Sequence, residues 1–147
     1  MRPPAASLVV DASVLIAAVS GRSSSAIADA ARRRSLLTTA RALEEARRRL
    51  ALGFKRPDLL IVLDQIVATM TVSSMGDVER ALPAAAEALR DAVPSRNGST
   101  DDAHVLALAW LADADIWSPD RAFAGTGVAS WSTPNLMRAL APEGDAT

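Results

Sequence analysis

A chain of 147 residues, half of them hydrophobic and carrying a formal net charge of −1, is long enough for one buried core and too apolar to stay disordered. It contains no cysteine, which excludes disulfides and thiolate metal sites. Its apolar runs stop well short of a membrane span and Met1-Arg2-Pro3-Pro4 does not open a signal peptide, so a soluble cytoplasmic protein is expected.

Leu8-Val9-Val10 is an apolar run that ends in Asp11 and continues as Ala12-Ser13-Val14-Leu15-Ile16. It reads as a buried strand that delivers a carboxylate at its carboxyl end and passes at once into a helix, about 12–19. Serines after Gly21 can cap a second helix, about 26–34. Leu36-Leu37-Thr38 is a short strand, and Thr39 can cap a helix over 40–52 that stops at Gly53. Pro57-Asp58 opens a helix over about 59–69, followed by a strand, Met70-Thr71-Val72-Ser73. Helical pattern resumes near Asp77 and restarts at Pro83, because proline suits a first turn better than an interior. A polar loop over 94–99 precedes a strong helix over 101–111. Two further strands, 115–118 and 129–132, a short helix over 134–140 and a loose tail over 141–147 complete the chain. Strands separated by helices imply βαβ units, so the pattern predicts one α/β domain over 1–147 (core about 8–140) with a mainly parallel sheet between helical layers.

Charge is unevenly placed. Residues 21–56 carry ten basic and three acidic side chains, a net of +7 against −8 for the remainder. That imbalance suggests a polyanionic partner. It also has a plain structural explanation, since Arg41, Arg47, Arg48 and Arg49 lie at helical spacing from Glu44 and Glu45 and can form surface pairs.

Four acids fall at comparable places in the pattern: Asp11, Glu45, Asp102 and Asp120. Taken singly, Asp11 and Asp102 can be helix caps, Glu45 half of a surface pair, and Asp120 a turn residue. Gathered on one rim, ionised carboxylates need cations between them. Hard oxygen ligands of that kind suit Mg²⁺ or Mn²⁺, which can activate water for attack on a phosphodiester. Adjacent glutamates point about 100° apart on a helix, so only one of Glu44 and Glu45 can face such a site. Asp101 and Asp102 share a similar ambiguity, with Asp101 able to cap and Asp102 then one step into the helix.

Other hydrolytic arrangements fit poorly. Ser13 stands where a haloacid-dehalogenase-type phosphatase would need a second Asp, and Lys55 is misplaced for a receiver domain. His104, the one histidine, sits in an apolar helix beside no nucleophile motif and reads as buried structure or a neighbour of the site. Trp110, Trp117 and Trp131 read as core or interface residues from their apolar neighbours.

From Leu8 to about Leu140 the chain resembles the PIN-domain family of ribonucleases, which includes the VapC-like toxins of type II toxin–antitoxin pairs. Val10-Asp11-Ala12-Ser13-Val14-Leu15-Ile16 is similar to the family's opening strand with its first acid and a hydroxyl neighbour. Thr39–Arg47 resembles the segment with the second acid, Asp102–Ala109 the third, and Ala114–Phe123 the strand, hydroxyl residue and fourth acid. The family's usual threonine is Ser118 here, and Pro119 separates it from Asp120. The resemblance implies a three-layer α/β/α PIN-like fold and a divalent-metal-dependent endoribonuclease. Asp11, Glu45, Asp102 and Asp120 would be its catalytic and Mg²⁺- or Mn²⁺-binding residues, supported by Ser13 and Ser118. RNA would be the substrate, held by Arg47 and Arg48. A homodimer and a cognate antitoxin protein are implied partners. The alternative is a PIN-like RNA-binding or protein-interaction module without nuclease activity.

Overall fold

The computed structural model describes residues 2–22, 24–90, 100–119, 123 and 125–144. Among these residues, five strands form one sheet: β1 (Ser7–Val10), β2 (Ser35–Thr39), β3 (Thr71–Ser73), β4 (Asp115–Trp117) and β5 (Ser130–Trp131). Their order across the sheet is β3-β2-β1-β4-β5, and every pairing is parallel. The chain therefore winds outward from β1 to one edge, then returns to the other side of β1. The order reverses between β1 and β4, the place where open α/β sheets bind ligands.

Among the described residues, eight α-helices connect or flank these strands: α1 (Ala12–Val19), α2 (Ser24–Arg33), α3 (Ala40–Arg48), α4 (Leu60–Val67), α5 (Met75–Val78), α6 (Leu82–Arg90), α7 (Ala103–Ala112) and α8 (Thr133–Gly144). Alternation along β1 divides the core in two. Leu8 and Val10 join Val14, Leu15, Ile27, Leu50, Leu63 and Leu136 on the side of α1–α4 and α8. Val9 faces the other way, to Val78, Leu89, Val105 and Leu106 on α5, α6 and α7. A strand fully buried on both faces needs a continuous apolar run, which is why Leu8-Val9-Val10 has no polar interruption. Helix α7 is apolar all round and is buried from Ala103 to Ala109, as its sequence requires.

The elements match the expected order with four local shifts. The third expected helix ends early as α3 and continues through a π-helical turn, Arg49–Gly53, closed by Phe54 N–H on the Arg49 carbonyl at 2.8 Å. The helix expected from 101 begins at Ala103, because Thr100–Asp102 takes a 3₁₀ turn that leaves Asp102 at the N-cap. The helix expected to restart at Pro83 starts at Leu82, with proline tolerated in the first turn. The tail expected to be loose from 141 is helical to Gly144 and includes Pro142, and α8 starts one residue early at Thr133, so it is five residues longer than the pattern suggested. The expected loop over 94–99 lies outside the described residues.

Candidate active site

Asp11 follows β1 and occupies the N-cap position of α1 in extended conformation, φ −77° and ψ 157°. Its backbone closes the strand-to-helix junction. The N–H donates to Trp117 O at 3.1 Å across to β4, and its carbonyl accepts from Val14 at 3.0 Å and Leu15 at 3.2 Å. Its carboxylate makes no capping bond. Instead, the Ser118 hydroxyl donates to Asp11 Oδ2 at 2.8 Å, with both side chains buried. A helix cap would satisfy its carboxylate on the N–H groups of α1. Here the acid is turned toward the β1–β4 crevice, where the strand order reverses.

Thr38 and Thr39 bring β2 to the same rim, and both are fully buried. Thr38 O–H donates to Val10 O at 2.8 Å. Thr39 caps α3 by accepting from Ala42 N–H at 2.9 Å, the role expected from the sequence. Its hydroxyl also lies 2.7 Å from Nδ1 of His104 on α7. Burial, reinforced by the positive charge of Arg41 and opposed by Asp101, pushes the His104 pKa down to about 4. The ring is therefore neutral at pH 7, and Thr39 can donate to Nδ1 while accepting from Ala42. This bond ties the helix bearing Glu45 to the helix that follows Asp102. His104 is thus a neighbour of the site rather than isolated core, and its place was open in the sequence because an apolar helix hides which side chains meet its first turn.

The other expected site residues lie as follows. Glu45 is half-buried on α3 and Glu44 is exposed, which favours Glu45 as the sheltered member of the pair. Asp102 is half-buried at the N-cap of α7 without a side-chain capping bond, whereas Asp101 is exposed. Ser13 is half-buried in the first turn of α1. Asp120 lies outside the described residues. Among the described residues, no three His, Cys, Asp or Glu side chains gather closely enough to hold a metal ion. What is present fits such an ion in kind. A buried carboxylate oriented by a hydroxyl offers hard oxygen donors, with no thiolate competing for a softer metal.

The arginines divide differently from expectation. Arg47 makes an ion pair with Asp64 on α4 rather than with either glutamate of its own helix. Arg48 is exposed, and no ion pair joins it to Glu44 or Glu45 among the described residues. Trp117 and Trp131 are core residues, as expected, while Trp110 is 36% exposed.

A family model described as PIN domain matches residues 9–141. The crystal structure of PAE2754 from Pyrobaculum aerophilum is similar in fold, with a TM-score of 0.61 and 19% sequence identity, over 92% of this chain and 90% of that one. No curated protein matches the sequence.

Proposed function

The chain belongs to the PIN domain family, a superfamily of nucleases, and from that premise we propose that it is a divalent-metal-dependent endoribonuclease. The observation that carries the reading is the Asp11 carboxylate, buried at the point where strand order reverses and held by Ser118 instead of by the helix it precedes. Asp11, Glu45 and Asp102 would hold Mg²⁺ or Mn²⁺, and Asp120 would complete the set. The ion would supply positive charge that polarises the scissile phosphate and acidifies the attacking water.

The chain's own residues perform the rest. The Ser118 hydroxyl fixes the rotation of the Asp11 carboxylate, so its donor geometry is set before substrate arrives. Ser13, in the first turn of α1, stands on the same approach. Thr39 and His104 tie the start of α3 to the start of α7, the two elements whose Glu45 and Asp102 would serve the metal. Exposed cations of the basic segment, Arg48 among them and Arg47 in part, would neutralise the RNA backbone. On this reading the protein is the toxin of a toxin–antitoxin pair, acts as a homodimer and is covered by an antitoxin protein. No helix among the described residues is long and apolar enough to cross a membrane.

The test is cleavage of varied RNAs with Mg²⁺ or Mn²⁺ by the wild type and by Asp11→Asn. Metal-dependent cleavage by the wild type, lost in the variant and on chelation, is expected. Equal cleavage by both proteins, or none by the wild type, would overturn the proposal.

A further inference from the structure

A cavity of about 390 Å³ opens beside the candidate active site. Its lining includes Ser13 and Pro119, close in the chain to Asp11 and Ser118, together with Arg22, Arg49 and Phe54. Both arginines are exposed and neither makes an ion pair among the described residues. Among the described residues, no carboxylate lines this space.

Two local devices place these side chains together. Gly21, at φ 89°, turns the chain sharply after α1 and presents Arg22. The π-helical turn after α3 spans Arg49 to Gly53 and brings Arg49 and Phe54 to the same edge through the Phe54 N–H bond to Arg49 O. Phe54 is 54% exposed, a large apolar ring that the core does not use. A planar ring beside two cations, in a space of nucleotide size, matches the parts of a single-stranded nucleic-acid subsite: backbone charge neutralised by arginine and a base stacked on an aromatic face.

We propose that this cavity seats one unpaired nucleotide of single-stranded RNA next to the scissile bond, with Arg22 and Arg49 on its phosphate and Phe54 against its base. The proposal rests on the nuclease reading for the position of the bond, but not for the binding itself. It makes the preferred substrate a single strand, because a base held in a duplex stack cannot reach the Phe54 ring.

The experiment uses the full chain and a fluorescein-labelled single-stranded RNA in EDTA, so binding is read by anisotropy without cleavage. Circular dichroism checks that each variant is folded, which their exposed side chains allow. Arg22→Ala with Arg49→Ala should weaken binding at least tenfold and flatten the dependence of log K on log salt by roughly 0.7, the change for one phosphate charge that is no longer neutralised. Phe54→Ala should weaken single-strand binding about tenfold and leave binding of the matching RNA duplex unchanged. Unchanged single-strand affinity in both folded variants overturns the subsite, as does an effect confined to an acidic peptide, which would assign the cavity to a protein partner. The two readings fail separately. Variant-sensitive binding by a wild type that cleaves nothing keeps the subsite and removes the nuclease, while wild-type-like binding and cleavage by the variants does the reverse.

Discussion

Asp115 and Asp11 are buried aspartates on neighbouring parallel strands, yet they stand at opposite ends of the sheet. Asp115 opens β4 opposite Leu8, while Asp11 follows the end of β1 beside Trp117. Asp115 is enclosed by donors: Arg2 at 2.7 Å, Ala5 N–H at 3.0 Å and the Trp131 indole N–H at 3.0 Å. Burial raises its pKa, but the bonds from Arg2, Trp131 and Ala5 outweigh that and hold it below the usual carboxylate value. It anchors the chain start and the edge strand β5 to β4. Asp11 accepts a hydroxyl instead and leaves its helix uncapped by its side chain. Burial alone therefore does not distinguish a structural acid from a functional one. Their partners and their ends of the sheet set the two apart, and on the nuclease reading Asp11 is the functional one.

The sharpest way to break the comparison is to neutralise each acid in turn. Asp11→Asn should lower metal-dependent RNA cleavage by roughly a thousandfold, about 4 kcal/mol in barrier, while changing folding stability by less than about 1 kcal/mol. Asp115→Ala should do the opposite. It leaves the Ala5 and Trp131 N–H groups without their acceptor, so stability should fall by about 3 kcal/mol in chemical denaturation, with cleavage by the folded fraction retained. The exposed Arg2 contributes little to that loss, since solvent screens its charge. If Asp115→Ala removed cleavage from well-folded protein, the division between the two ends of the sheet would be wrong.

Acid should separate the two ends as well. Because the folded pKa of Asp115 is lowered, its stabilisation is present above the ordinary value of 3.8 and is lost only as pH falls below that. His104, at the carboxyl rim, behaves differently. Its pKa drops from 6.5 to about 4 on folding, so between those values the unfolded chain binds a proton that the folded one refuses. Stability should thus fall by on the order of 3 kcal/mol as pH drops across that window, and denaturation of His104→Gln should show a flatter pH dependence. The smallest effect belongs to Ser118→Ala. Losing the 2.8 Å bond to Asp11 should cost about 1 kcal/mol of stability and about tenfold in cleavage, read in the same two assays.

Much of the molecule was legible in the chain. An uninterrupted apolar run must be buried on both faces, so Leu8-Val9-Val10 identified the central strand, and strand–helix alternation required parallel pairing. Thr39 was recognisable as a helix cap because its hydroxyl is the right group directly before a helix. Asp11 was legible as an acid at a strand end. The Asp115 network was not, because its donors come from Arg2, Ala5 and Trp131, which no sequence spacing connects. The cavity residues Arg22, Arg49 and Phe54 escaped for a related reason. A π-helical turn has no reliable sequence signature, and without it Arg49 and Phe54 do not share an edge.

By itself, then, the sequence determined local conformation, the apolar faces and the chemical kind of the acids, since these depend on residues near one another in the chain. Tertiary structure decided which acid is held by Arg2, Ala5 and Trp131 and which by Ser118, which arginine is paired and which lines a cavity, and why His104 is held neutral. Those outcomes depend on groups far apart in the chain becoming neighbours, and the energies of burial and hydrogen bonding exist only once they have met.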